Sequence, residues 1–160
     1  MEIKAIKIEK PEDVNIIIGQ AHFIKTVEDL YETVVAAAPV MKFGIAFCEA
    51  SGACKIRVEG NDEALKKIAV DNALRISAGH MFIITLREGF PINILNQIKG
   101  IQEVCSIFAA TANPVEVIVA ENTEGCGVLG VIDGFKPKGV ENDEDVAWRK
   151  DLLRKFGYKR

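Results

Sequence analysis

One histidine, one arginine and a glycine-broken loop fall within a single stretch, Ala78-Gly79-His80-Met81-Phe82-Ile83-Ile84-Thr85-Leu86-Arg87-Glu88-Gly89-Phe90-Pro91. An imidazole with a free ring nitrogen can accept a phosphoryl group, and a guanidinium can clamp phosphate oxygens in a planar fork. Pro91 suits the first position of a helix, predicted over 92–99, whose unpaired N–H groups would face the loop. Together these are the parts of a phosphate-handling site. The same residues also describe an ordinary buried strand from Met81 to Leu86, with a satisfied histidine at its mouth and a surface ion pair at its exit. Spacing alone does not raise the first description above the second.

Further polar residues stand where apolar runs end: Glu49, Glu88, Asn113, Glu121 and Asp133 join His80 and Arg87 in this respect. Ligands of layered α/β sheets gather at such strand ends. Carboxylates there could hold magnesium or act as a base. His22 follows a glycine-containing strand much as His80 does, and the sequence does not choose between the two histidines. Gly125-Cys126-Gly127-Val128-Leu129-Gly130 spells the dinucleotide fingerprint letter for letter. That fingerprint needs a helix opening inside it, whereas the last glycine sits in a strand-like Val-Leu-Gly-Val-Ile run. A plain turn between strands, or a glycine-rich flap over phosphates, remains. No P-loop motif is present.

The elements that must position these residues follow from periodicity. Strands are predicted over 2–9, 14–19, 43–48, 115–120 and 128–132, and Cys54, Ile56 and Val58 alternate with Lys55 and Arg57 as the second arm of a hairpin. Val104 to Ala112 is almost wholly apolar or small and reads as a central strand. Thr26-Val27-Glu28-Asp29 resembles a capping box opening a helix that Pro39 stops. Asn61-Asp62-Glu63 caps a second helix, whose buried face is Leu65, Ile68, Ala69, Ala73 and Ile76. Phe135 to Asn142 links to a last helix with Trp148, Leu152 and Phe156 on one face. This order predicts one domain spanning 1–160, an α/β layered fold with a mixed sheet covered by helices.

Composition narrows the function. With 49% hydrophobic and 27% charged residues the balance is that of a globular protein, and a net charge of -3 makes no case for nucleic acid. The basic cluster Lys150, Arg154, Lys155, Lys159 and Arg160 is explained by cations at a helix C-terminus. No apolar run suits a signal peptide or a membrane span, so a cytoplasmic location is expected. Cys48, Cys54, Cys105 and Cys126 lack paired Cys-x-x-Cys spacing and read as packing residues rather than a zinc site. The apolar fraction is high for the length, which predicts self-association.

Longer blocks resemble the adenosine-specific kinase family: Gly44-Ile45-Ala46-Phe47-Cys48-Glu49-Ala50-Ser51-Gly52, Ala78-Gly79-His80, Leu86-Arg87-Glu88-Gly89-Phe90-Pro91-Ile92-Asn93, Ala109-Ala110-Thr111-Ala112-Asn113-Pro114 and Gly127-Val128-Leu129-Gly130-Val131-Ile132-Asp133-Gly134. The resemblance runs from about Ile16 to Gly139. It implies a compact α/β homo-oligomer of threefold assembly that binds adenosine or AMP and carries a stable phosphohistidine. On that footing His80 is the phosphoryl acceptor, with His22 in reserve, and Arg87 a phosphate clamp. Glu49, Glu121 and Asp133 become metal ligands or a base for a ribose hydroxyl. Ser51, Glu88, Asn113, Gly125 and Gly127 join them as substrate-binding residues. Magnesium and ATP, or another phosphoryl donor, are the cofactors implied.

Overall fold

The computed structural model describes residues 1–160 as eight strands and four α-helices. In chain order they are β1 (Glu2–Lys7), β2 (Asn15–Ala21), α1 (Thr26–Ala37), β3 (Lys42–Cys48), β4 (Ile56–Gly60), α2 (Glu63–Ile76) and β5 (Met81–Arg87). There follow α3 (Leu95–Lys99), β6 (Val104–Thr111), β7 (Val115–Glu121), β8 (Cys126–Asp133) and α4 (Asp143–Lys155). The apolar run at Met81 is the middle strand of a five-stranded sheet ordered β4-β3-β5-β2-β6, buried on both faces. A second sheet is ordered β1-β7-β8.

The alternation along β5 and its neighbours sorts the core into two layers. Ile17, Phe43, Ile45, Phe47, Phe82 and Ile84 pack on one face against Val27, Leu30 and Val34 of α1 and Ile98 of α3. Ile16, Ile18, Ala46 and Ile83 pack on the other against Ala69, Ala73 and Ile76 of α2 and Val115, Val117 and Val119 of β7. Helices therefore cover one face, and α2 shares the other with the smaller sheet. The α/β layered domain is as the sequence predicts.

Four local expectations change. Every strand pair is antiparallel, so neither sheet is mixed: α2, between β4 and β5, spans the sheet end to end and returns the chain antiparallel to β3. β6 is an edge strand rather than a central one, and its small apolar side chains are half-exposed. Thr26 does not cap α1, because its hydroxyl donates backwards to the Phe23 carbonyl. The helix expected over 92–99 breaks into a 3-10 turn, Pro91–Asn93, and the single turn of α3, with Ile94 between them out of helical geometry at φ -129°. The cap of α2 forms as read, Asp62 Oδ1 accepting from Leu65 N at 2.9 Å. No helix is long and apolar enough to cross a membrane.

Candidate active site

Strand register divides the residues singled out from sequence between two ends of the fold. Met81 lies opposite Gln20, and Phe82 opposite Phe47, so His22, Glu49 and His80 share one end of the large sheet. Arg87 lies opposite Lys42, and Thr111 opposite Ile16, so Arg87, Glu88 and Asn113 occupy the other. Seven residues of strand separate His80 from Arg87, which at about 3.3 Å per residue is roughly 20 Å. Arg87 cannot clamp a phosphate carried on His80. Its Nε instead donates to Asp13 Oδ2 at 2.6 Å. The expected anion site at Pro91 is also filled, since Phe90 N donates to Asn93 Oδ1 at 2.8 Å.

Asp133 and Asn113 form a corner at that far end. Asp133 Oδ1 accepts from Thr111 Oγ1 at 2.9 Å and from Asn113 Nδ2 at 3.1 Å, tying the exit of β6 to the exit of β8. The geometry is that of a structural clasp between the sheets.

At the near end the two sheets open onto a cleft of about 550 Å³. Its walls come from three connections: Glu49, Ala50 and Cys54 after β3, Ser77-Ala78-Gly79 between α2 and β5, and the β7–β8 hairpin from Glu121 to Cys126. The size suits a nucleoside-scale ligand. Ala50, Ala73, Leu74 and Ala78 supply apolar wall, while Glu49, Glu121 and Glu124 supply carboxylates, and no lysine or arginine lines the space. Asn122 builds the hairpin: its Oδ1 accepts from Glu124 N at 2.9 Å and Gly125 N at 2.8 Å, and its N–H donates to the Gly125 carbonyl. Only Gly125 of the glycine-rich hexapeptide lies in the turn; Cys126 to Gly130 run on as β8, and no helix opens among them. Gly125 borders the cleft, and Gly127 borders a smaller adjoining space with Gln20, Gly79 and Phe108. Ser51 stays in the exposed β3–β4 turn outside the wall.

Electrostatics sets the roles these groups can fill. Glu49 accepts from Lys55 N at 2.8 Å and from Arg57 Nε and Nη2 at 3.0 and 2.6 Å. The Lys55 backbone bond first, then the guanidinium, holds its carboxyl below the ordinary range, so Glu49 is an acceptor and a poor proton carrier at neutral pH. Glu121 is paired with Lys4, whereas Glu124 has no cation partner. Burial pushes the Cys48 thiol up to about 11 and raises Cys126, whose Sγ donates to the Ile76 carbonyl at 3.3 Å. Neither thiol is poised as a nucleophile.

His80 is held at φ 60° by its neighbours, its N–H donating to the Cys48 carbonyl at 2.8 Å and its carbonyl accepting from Ala21 N at 3.0 Å. Its ring stacks on Phe47 with centroids 6.0 Å apart, on the α1–α3 side, and it is not part of the cleft wall. His22 is exposed at the same end, its N–H donating to the Glu103 carbonyl. No three of the histidines, cysteines and carboxylates lie close enough to cage a metal. Magnesium takes only one or two protein carboxylates and completes its shell with substrate phosphates and water. Glu121 and Glu124 would hold it here. Sequence reasoning took Ala78 and Gly79 only as the approach to His80, and it missed Ser77, Asn122 and Glu124. Of these, only the Asn-x-x-Gly spacing at 122–125 carried a signal, that of a side-chain-capped turn.

Comparison with known proteins places this geometry. The family model for adenosine specific kinase matches residues 6–159. Among solved structures, the PH1918 protein from Pyrococcus horikoshii OT3 superposes with a TM-score of 0.95 at 46% identity, covering 99% of this chain and 98% of that one. No curated protein matches.

Proposed function

The chain belongs to the adenosine-specific kinase family, and on that premise we propose that the cleft between the two sheets binds adenosine for phosphoryl transfer to a ribose hydroxyl. The observation that carries this reading is the lining itself: apolar wall for a flat base, three carboxylates to accept from hydroxyl and amino groups, and no fixed cation. A neutral nucleoside is compatible with that lining, which offers a phosphate no cation of its own because Arg57 and Lys4 are taken up by Glu49 and Glu121. The donor, ATP or another phosphoryl compound, would enter with magnesium, which neutralises the phosphate oxygens when bound. In the transfer the hydroxyl oxygen bonds to phosphorus, the bond to the leaving phosphate breaks, and the hydroxyl proton leaves through water or a carboxylate. Glu49 orients the ribose, since its ionised carboxylate accepts but holds no proton. Adenosine with ATP should give AMP at a rate proportional to protein. Calorimetry should show adenosine bound at least tenfold more tightly than guanosine or cytidine, with Glu49→Gln weakening it about tenfold. Equal affinities across the nucleosides would remove the assignment.

The position of His80 favours a second reading of the phosphohistidine that family resemblance implies. A half-exposed ring stacked on Phe47 outside the cleft is suited to carrying a regulatory mark rather than relaying a phosphoryl group to bound adenosine. Intact mass before and after mild acid should show loss of a phosphoryl group from the wild type and none on His80→Ala, while AMP formation persists in that variant. Loss of turnover together with the mark would make His80 the carrier. We further propose that the protein works as a homo-oligomer, of threefold symmetry by family resemblance, in the cytoplasm.

A further inference from the structure

We infer that the outer face of the β1-β7-β8 sheet is a docking surface for α4 of a second copy of this chain. An antiparallel sheet with one packed face ordinarily turns polar residues outward on the other. Here the inner face is Ile6, Val115, Val117, Val119, Val128 and Val131, and the outward positions between them are Ile3, Ala5, Ile118, Ala120, Leu129 and Ile132, with the charged pair of positions Lys7 and Glu116 at one end. Ile3 is 65% exposed and Leu129 61%. Contiguous apolar surface of this kind marks an association site.

The same chain presents the complementary piece. α4 buries no residue, and Trp148 and Phe156, four-residue neighbours of Leu152 on one stripe, are each 65% exposed. The helix carries its own caps and an ion pair. Asn142 Oδ1 accepts from Asp145 N while Asp145 Oδ2 accepts from Asn142 N, acids fill its first turn, and Asp151 pairs with Lys155. Trp148 and Phe156 on the helix and Ile3, Leu129 and Ile132 on the sheet stay exposed within one copy, and a second copy would cover both sets at once. Charge selects this pairing over an unrelated partner. Lys150, Arg154, Lys159 and Arg160 have no carboxylate partner in their own chain, and Glu124 at the rim of the sheet has no cation partner, while Glu116 on its face stands across from Lys7. Docking would set the basic tail beside the acidic mouth of the cleft, supplying cations that its own wall lacks.

This inference rests on the homo-oligomer proposed above and is tested with the full chain. Light scattering at micromolar concentration should give a multiple of 17.5 kDa for the wild type. It should fall twofold or more toward that mass in Leu129→Asp with Ile132→Asp, and separately in Trp148→Asp, with circular dichroism unchanged because all three side chains are exposed. A photoreactive phenylalanine at position 148 should cross-link to peptides of β1, β7 or β8 and run at twice the chain mass on a denaturing gel. A monomeric wild type would overturn both this inference and the oligomer. An oligomer retained by the variants, cross-links to the β6 edge, or cross-linked chains that stay at single mass would overturn this surface alone.

Discussion

A left-handed backbone at a residue bearing a Cβ costs about 1–2 kcal/mol. Cys54 (φ 50°), Ser77 (φ 56°) and His80 (φ 60°) all adopt it in or beside the cleft wall, and Glu88 is the one other case. Ser77→Gly should relieve that strain at the end of α2. Allowing for the greater freedom of an unfolded glycine, the gain is about 0.5–1 kcal/mol, read from the urea midpoint. Adenosine affinity should fall in the same variant, since Ser77 to Gly79 form one wall. Thiol chemistry gives a second prediction at this scale. Iodoacetamide at pH 8 should label exposed Cys54 and Cys105 and spare Cys48 until the chain unfolds. Because the buried Cys48 thiol ionises only near 11, against 9.0 ordinarily, the unfolded chain loses its proton first. The resulting contribution to stability is whole below pH 9 and is lost as pH rises toward 11. Reading the sequence singled out Glu49, Glu121 and Gly125, which line the cleft, because each ends a strand or marks a turn. It misjudged Arg87 because seven residues that are adjacent in sequence become, as an extended strand, the full depth of the sheet.

At the level of elements, α2 decides where the cleft wall stands, and Gly44 decides where α2 stands. A Cβ at Gly44 would lie 2.2 Å from Lys66 N and 2.4 Å from the Leu65 carbonyl carbon, both backbone atoms that cannot yield alone. Directly opposite Gly44 on β5, Thr85 Oγ1 donates to the Leu65 carbonyl at 2.8 Å and pins the same turn of helix. Gly44→Ala should therefore cost about 3 kcal/mol, at the upper end for overpacking, and weaken adenosine binding by displacing Ser77 to Gly79. Guanidinium unfolding and calorimetry on the variant check the two effects. An unchanged midpoint would mean that α2 slides without cost. Periodicity made most elements legible, including the cap of α2 and the β3–β4 hairpin. Register and sheet order were not legible, because an apolar strand such as β6 reads alike whether its neighbours are strands of its own chain or another surface. The break at Ile94 was likewise hidden, since it depends on the Asn93 side chain bonding back to Phe90 N.

Across the whole molecule the protection against local opening should be uneven and should follow the layers. β2, β3 and β5 are paired on both edges and buried on both faces, so their amides exchange only with global unfolding. β8 and β6 each leave one edge unpaired, and α4 has caps and ion pairs but no buried side chain. An isolated helix of 13 residues is marginal in water even when well capped. In a single copy, α4 amides should therefore exchange orders of magnitude faster than those of β5. Hydrogen exchange followed by mass spectrometry at two protein concentrations separates the possible sources of protection. If α4 gains protection as concentration rises, while β5 is unchanged, its stability comes from another copy. If α4 exchanges as slowly as β5 at the lowest concentration, the helix is held by its own chain, and the bare outer sheet must find a different cover.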